Sequence, residues 1–408
     1  MLRKSVIAVG TAVLMGGAAL SAQAEIPVGH LAAYTGPTSS VGKIYGQGVE
    51  DAIAYINANG GVAGQKIEKD TVDYSYEAPR AIATYKRWKS SLDPVVIQGW
   101  GTADTEALVR FVARDEIVYM SASYSGHLTD PTGKSPHTKA AAPYNFFYGP
   151  SYSDGCRAMV AWAKKDWEAK GNSGKPKFVH MGDNHPYPNA PKAACAAYAK
   201  ELGFEVLNPI VYSLSPGDFK AQCLSLKDSG ADYAYLANTS GSNISLLKSC
   251  NTVGVDTQFV TNVWGFDENA VPAAGEAGDG IVWPVGAAVW GTDVPGMKTI
   301  KEIAGGDQRK ALHYMRGVCS VMFMRDAMEM AAKDGDITGP SVKAALESMK
   351  DHVPAGMEGV CLPHTWTPEN HRGTTEVMVY QNHYNGGDFK FEKLTTIDLP
   401  RREDWLGW

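Results

Sequence analysis

IPVGHLAAYTGPTSSVGKIYGQGVEDAIAYINANGGVAGQKIE, residues 26–68, carries a strand, a turn, a helix and the start of a second strand in one run. Ile26 to Ala33 is an apolar stretch of buried-strand length, and Gly36-Pro37 turns the chain. From Ile44 to Asn57 the apolar residues Ile44, Val49, Ile53 and Ile56 fall at helical spacing, and Asn59-Gly60-Gly61 stops that helix. The rhythm then repeats outward. A strand is expected around Ile67 to Tyr74, a helix from Pro79 to Ser91, a strand from Pro94 to Gly99, a helix from Asp104 to Arg114 and a strand from Ile117 to Met120.

The second half follows the same pattern. Cys156 to Lys170 reads as a helix, Lys177 to Met181 as a strand, Pro191 to Leu202 as a helix and Val206 to Tyr212 as a strand. Phe219 to Ser229, Tyr233 to Ala237, Asn243 to Asn251 and Phe259 to Asn262 continue it, and the Lys/Asp/Gly-rich stretch from Lys298 to Lys310 is a surface segment by composition. Such alternation predicts an α/β fold of two doubly wound lobes with parallel sheets, whose ligand sites lie at the carboxyl ends of strands. No low-complexity linker separates the halves, so the crossings must be short; Gly149-Pro150 and Pro284 are the expected places.

The chain opens with Arg3 and Lys4, an apolar stretch from Val6 to Ala19, and Ala22-Gln23-Ala24. This is the pattern of a secretory signal peptide cleaved after Ala24, and its apolar run is short for a membrane span of roughly 20 residues. No cysteine lies near the cut to take a lipid anchor. The whole chain has 38 basic and 44 acidic residues; without Arg3 and Lys4 the balance is about −8. That favours a soluble exported protein and argues against nucleic acid or an anionic membrane as partner. Six cysteines remain, Cys156, Cys195, Cys223, Cys250, Cys319 and Cys361, none in a C-x-x-C pair. In an exported chain an even count favours disulfides over a zinc or thioredoxin-like site. Local pairs are expected, Cys223–Cys250 foremost because these residues sit on successive helices; buried free thiols are the alternative.

Motifs that would carry enzyme chemistry are missing. Gly99-Trp100-Gly101 begins like a dinucleotide fingerprint, but the third glycine is absent and a turn with close backbone packing is the better reading. There is no P-loop, no H-E-x-x-H and no G-x-S-x-G elbow, which weighs against an oxidoreductase or hydrolase on this fold. His180 and His185 have no third ligand at regular spacing, so neither metal nor cofactor is expected.

Hydroxyl and aromatic side chains recur instead at strand ends. Trp100 and Thr102 follow one strand; Ser121, Ser123, Tyr124 and Ser125 follow another; Thr239 with Ser240, and Trp264, follow two more. Each hydroxyl alone is the helix cap that such loops need. Four enriched loops together point to a cleft whose hydroxyls and helix N–H groups take an anion, with aromatic walls around it.

The run quoted at the outset, with its T-G-P turn, its A-x-x-x-I-N helix and N-G-G-V-x-G-x-K-I, resembles the leucine/isoleucine/valine-binding protein family of type I periplasmic solute-binding proteins. GWGTADTEALVRFVARDEIVYMSASYSGHLTD (99–130), DFKAQCLSLKDSGADYAYLANTSGSN (218–243) and AAGEAGDGIV (273–282) continue the likeness, which weakens after about residue 290. The resemblance implies two lobes joined by a three-strand hinge: 25–149 plus 285–375, and 150–284 plus 376–408, with the third crossing around Thr374 to Met378. It implies a monomeric, non-enzymatic substrate-binding component of an ABC importer, periplasmic, handing a small molecule to a membrane permease. A periplasmic sensor presenting its ligand to a receptor is the alternative. Thr102, Ser123 and Ser125 match the family's carboxylate-binding positions, and Tyr187 and Thr239 its second-lobe lid. One departure stands out. The position that would pair with an amino acid's ammonium falls at Val263, so either Asp267 takes over that role or the ligand has no ammonium. Trp100, Tyr124 and Trp264 nearby suit a flat or apolar organic acid, with a branched-chain amino acid as the conventional ligand.

Overall fold

Strand β1 (Ile26–Ala32) lies between β2 (Ile67–Asp73) and β3 (Val96–Gln98), parallel to both. Strands β4 (Val118–Ser121) and β5 (Asn145–Phe147) extend the sheet, in the order β2-β1-β3-β4-β5. A computed structural model describes residues 25–408, so the leader expected before Glu25 lies outside the described residues. Helices α1 (Ser39–Ala58), α2 (Ala78–Ser91) and α3 (Thr102–Arg114) make the crossovers. On α1 the buried stripe is Val41, Tyr45, Val49, Ala52, Ile53 and Ile56, so Tyr45 faces inward and Ile44 lies half-buried beside it.

The chain leaves this lobe after β5 and starts α4 (Tyr152–Ala169) on the second sheet. There β6 (Lys177–Gly182), β9 (Tyr233–Leu236), β10 (Gln258–Thr261) and β11 (Val282–Val285) run parallel, with the short β7 (Glu205–Val206) and β8 (Ile210–Val211) both pairing β6. Two short strands thus replace the single one expected from Val206 to Tyr212. Helices α5 (Pro186–Asn189), α6 (Lys192–Glu201), α7 (Lys220–Ser229), α8 (Ser240–Val253) and α9 (Ala270–Ala274) connect them. The chain then returns to the first lobe with α10 (Met297–Ile303), α11 (Leu312–Asp334) and α12 (Gly339–Glu347). Helix α11 packs along α1 where two glycines meet. A Cβ on Gly48 would stand 2.2 Å from the Tyr314 carbonyl oxygen, and one on Gly317 2.3 Å from that of Tyr45.

A third crossing leads into β12 (Glu376–Asn385) and β13 (Asp388–Asp398), a long antiparallel hairpin added beyond β11. The second sheet is therefore mixed at this edge, not parallel throughout. The last residues touch both lobes: Trp405 meets Tyr198 of α6 edge to face, while the Gly407 N–H donates to Thr129 Oγ1.

Three disulfides close local loops: Cys156–Cys195, Cys223–Cys250 and Cys319–Cys361. The first ties α4 to α6 and the second α7 to α8. Among the described residues no helix is long and apolar enough to cross a membrane.

Candidate ligand-binding cleft

Both sheets carry the same switch in strand order. In the first, β1 is flanked by β2 and β3; in the second, β6 is flanked by β7 and β9. At such a point neighbouring loops diverge to opposite faces and leave a crevice at the carboxyl ends of the strands. The loops from the two switch points face each other here. Thr38, Tyr76, Trp100, Gly101 and Ala122 come from the first lobe, Tyr152, Tyr187, Thr239 and Trp264 from the second, and together they line a space of about 200 Å³. The two walls nearly close on one another, so little of this space is open to a ligand while the lobes stay together.

The first-lobe wall is built on the start of α3. Thr102 Oγ1 lies 2.8 Å from Ser123 Oγ and 3.4 Å from Ser125 Oγ, and the two serines are 3.0 Å apart. All three are fully buried. Thr105 Oγ1 continues the cluster, 2.7 Å from Ser121 Oγ. Beneath it, Asp104 accepts the Trp100 and Gly101 N–H groups and the hydroxyls of Tyr74 and Tyr119. Its burial pushes the carboxyl up, against the pull of those donors. Trp100 donates from Nε1 to Thr38 Oγ1 at 2.9 Å, a bond that spans the switch point between β1 and β3.

Gly99 and Gly101 owe their presence to packing. A Cβ on the first would come within 2.2 Å of the Tyr119 ring, and one on the second within 2.4 Å of Tyr76. The partial fingerprint is thus a tight turn under two tyrosines.

The second-lobe wall is aromatic. Trp264 Nε1 donates to the Tyr152 hydroxyl at 2.9 Å, and Asn262 Oδ1 accepts both the Trp264 N–H and the Tyr187 hydroxyl. Thr239 occupies the N-cap position of α8, yet its side chain makes no capping bond. Its buried Oγ1 has no hydrogen-bond partner among the described residues. At this position the simple helix-cap explanation fails, and a hydroxyl is left over at the cleft.

The two walls meet. Trp264 packs against Trp100 with centroids 5.0 Å apart and against Tyr45 at 5.7 Å, and Tyr76 lies 5.2 Å from His185. Of the residues singled out in the sequence, Trp100, Tyr187, Thr239 and Trp264 line the space; Thr102, Ser123 and Ser125 form the hydroxyl cluster behind Gly101 and Ala122. Tyr124 lies deeper, stacked on Phe147 and 5.4 Å from Trp264. Asp267 is not among the lining residues. Its carboxylate accepts the Asn269 and Ala270 N–H groups and lies 3.2 Å from His313 Nε2; burial would raise it, but the contact with His313 and these two N–H groups hold it below the usual range.

Tyr76 and Tyr152 were not foreseen. The first follows the β2 strand end by the same rule that found the others, while the second sits on the helix after a crossing, where no local signal marks it. His185 Nδ1 accepts the Tyr187 N–H, and His180 is buried in the second lobe. Among the described residues no group of three or more His, Cys, Asp or Glu could hold a metal ion.

A family model described as "periplasmic binding protein" matches residues 25–388. The chain belongs to the periplasmic binding protein family. A substrate-binding protein of an ABC transporter from Aeropyrum pernix is 28% identical, with a TM-score of 0.82 over 94% of this chain and 98% of that one. A branched-chain amino acid ABC transporter protein from Thermus thermophilus with bound valine has the same TM-score, 0.82, at 20% identity, covering 94% of this chain and 98% of its own. The Leu/Ile/Val-binding protein homolog 4 of Brucella abortus (strain 2308) is 23% identical over 62% of this chain, and the match spans 59% of that relative's length. The family and these structural neighbours are binding proteins and not enzymes.

In this periplasmic binding protein the lobes are fastened beside the aromatic wall. Glu268, on the loop after β10, accepts the Leu312 N–H at the start of α11 at 2.9 Å. Its other oxygen has no partner among the described residues. Burial, with Asp267 adding to it, pushes the Glu268 carboxyl from 4.5 up to about 7. The charged form is therefore disfavoured in the native state, so the cost is absent below the ordinary carboxylate range and complete above about pH 7. Relative to Glu268→Gln, wild-type stability should fall by about 3 kcal/mol between pH 4 and pH 8. Parallel Tm-against-pH curves for the two proteins would contradict this.

Proposed function

We propose that the cleft captures a small organic carboxylate and that this protein is the periplasmic substrate-binding component of an ABC importer, delivering its ligand to a membrane permease. The observation that carries this reading is the cluster Thr102–Ser123–Ser125 at the first turn of α3. Buried hydroxyls beside the N–H groups of a helix start offer neutral donors to an anion, and the helix dipole adds to them. The free hydroxyl of Thr239 faces the same ligand from the second lobe, and Trp100, Trp264 and Tyr187 supply its apolar walls.

The valine seen in the Thermus thermophilus protein represents the other ligand class. An amino acid brings an ammonium, which needs a partner once buried. No acidic residue lines the space, and Asp267 is engaged by His313 and two N–H groups. A carboxylate without an ammonium fits better.

A thermal-shift screen of short aliphatic and aromatic carboxylates should raise Tm, because a ligand that binds only the native state stabilises it by RT ln(1 + [L]/Kd). Thr102→Val and Ser123→Ala should each weaken the best ligand by about 1–3 kcal/mol in calorimetric titration. Unchanged affinity in both variants would remove the cluster from the site.

A further inference from the structure

Helix α11 carries a charge that the cleft does not balance. Arg316 is fully buried, and its guanidinium carbon lies 3.8 Å from the Trp264 ring centroid and 4.9 Å from that of Tyr124. Nη1 donates to the Val263 carbonyl at 2.7 Å, across the lobe boundary. Nε and Nη2 have no hydrogen-bond partner, and no carboxylate pairs with the group, among the described residues. The buried acids of the cleft walls are committed elsewhere: Asp104 to four donors, Asp267 to His313, and Glu268 to the Leu312 N–H. The buried pair Asp154–Arg372 shows how this chain ordinarily treats a buried guanidinium. Arg316 has an aromatic face and a carbonyl instead.

We propose that Arg316 sets the charge of the ligand: through Trp264 it makes the cleft electropositive, so that the site selects anions and excludes molecules that carry an ammonium. The proposal rests on the reading that the cleft takes a carboxylate, and it names the residue that narrows this class. The carbonyl of Val263 stands where the family likeness would place a partner for an ammonium, and it is already used by this guanidinium. A ligand ammonium would therefore meet a resident cation on the same tryptophan. At a separation of about 7 Å and an effective dielectric near 20, two such charges differ from a neutral pair by enough to shift affinity roughly 50-fold. An anionic head gains by the same interaction, and an uncharged ligand does neither.

The test is a calorimetric comparison of matched sets: 4-methylpentanoate, 4-methylpentanamide and leucine, and phenylacetate, phenylacetamide and phenylalanine. In the wild-type protein the acid should bind more tightly than its amide, which lacks the anionic head, and than its amino acid, which adds the ammonium, with about 10–100-fold between acid and amino acid in the better-bound series. Arg316→Gln should compress that spread to a few-fold, while Arg316→Lys, which keeps the charge, should retain it. An amino acid that binds as well as its acid overturns the role of Arg316 and leaves the carboxylate reading intact. A spread that survives Arg316→Gln does the same. If no member of either set binds, the carboxylate reading itself fails, and this inference with it. The wild-type order stands without any variant, so a poorly folding Arg316→Gln does not remove the test.

Discussion

Asp154→Asn is expected to lower folding stability by about 3–5 kcal/mol, the cost of breaking a buried ion pair from one side. Asp154 is fully buried at the first turn of α4. Its Oδ2 accepts Arg372 Nε at 2.8 Å, and its Oδ1 accepts Arg372 Nη2 at 2.9 Å and Arg157 Nη1 at 3.1 Å. Burial alone would raise this carboxyl, but the charges of Arg372 and Arg157 more than offset it and hold it below its ordinary value of 3.8. Asparagine keeps the shape and removes the charge, leaving two buried guanidinium groups over the Trp405 ring without the carboxylate that pairs them. The position matters as well as the charge. Asp154 follows the first crossing between lobes and Arg372 precedes the third, so their fork fastens two hinge segments together. Urea denaturation gives the measurement. Asp154→Asn combined with Arg372→Gln should cost less than the two single changes added, because each removes the other's unpaired charge. The depressed carboxyl also fixes the sign with pH: its stabilisation is present above the ordinary carboxylate range and fades as pH falls through its lower native value. Wild type and Asp154→Asn should therefore converge in acid. A loss under about 1 kcal/mol at neutral pH would contradict this account.

The first lobe was legible because its signals are local. Ile26 to Glu68 states a strand, a turn, a helix and a stop in order, and β1, α1 and β2 follow it closely. Thr102 and Ser123 could be found because strand ends hold loops at fixed places in a doubly wound sheet, whatever the ligand. Trp100 and Thr239 were legible for the same reason. Arg316 was not, because nothing beside it in sequence tells a buried cation from a surface one. Helix α11 is buried on nearly every side, so its apolar residues show no stripe to read. Asp267 illustrates the opposite error: a carboxylate close in sequence to the expected position is spent on His313 and on the start of α9. The β12–β13 hairpin did leave a signal in Asn385-Gly386-Gly387-Asp388 between two runs of alternating residues. It lies where the family likeness weakens and where parallel strands were the expectation, so the antiparallel pairing went unread.

Cys319→Ala with Cys361→Ala is expected to cost about 4 kcal/mol, because the pair closes a loop of sequence separation 42 whose entropy the unfolded chain would otherwise keep. The loop of Cys223–Cys250 has a separation of 27, and the logarithmic dependence makes its loss nearly as large, about 3.5 kcal/mol. Stability alone would barely distinguish the two. Ligand affinity should. Cys223 and Cys250 join two helices of the second lobe, α7 and α8, and Cys250 lies toward the end of α8 remote from Thr239. Cys319 lies one turn beyond Arg316 on α11, and Cys361 forms a bridge with Ala287 beside the second crossing. Releasing that pair frees the helix holding Arg316 against Trp264, together with a hinge segment, and so loosens the cleft where the lobes meet. The two double variants, compared at a temperature where both are folded, should show similar losses in urea. Only the Cys319–Cys361 variant should show several-fold weaker binding of the best carboxylate. Equal affinity in both would mean that α11 is held in register by its glycine contact with α1 alone, at Gly48 and Gly317, and that the disulfide acts only on the unfolded chain.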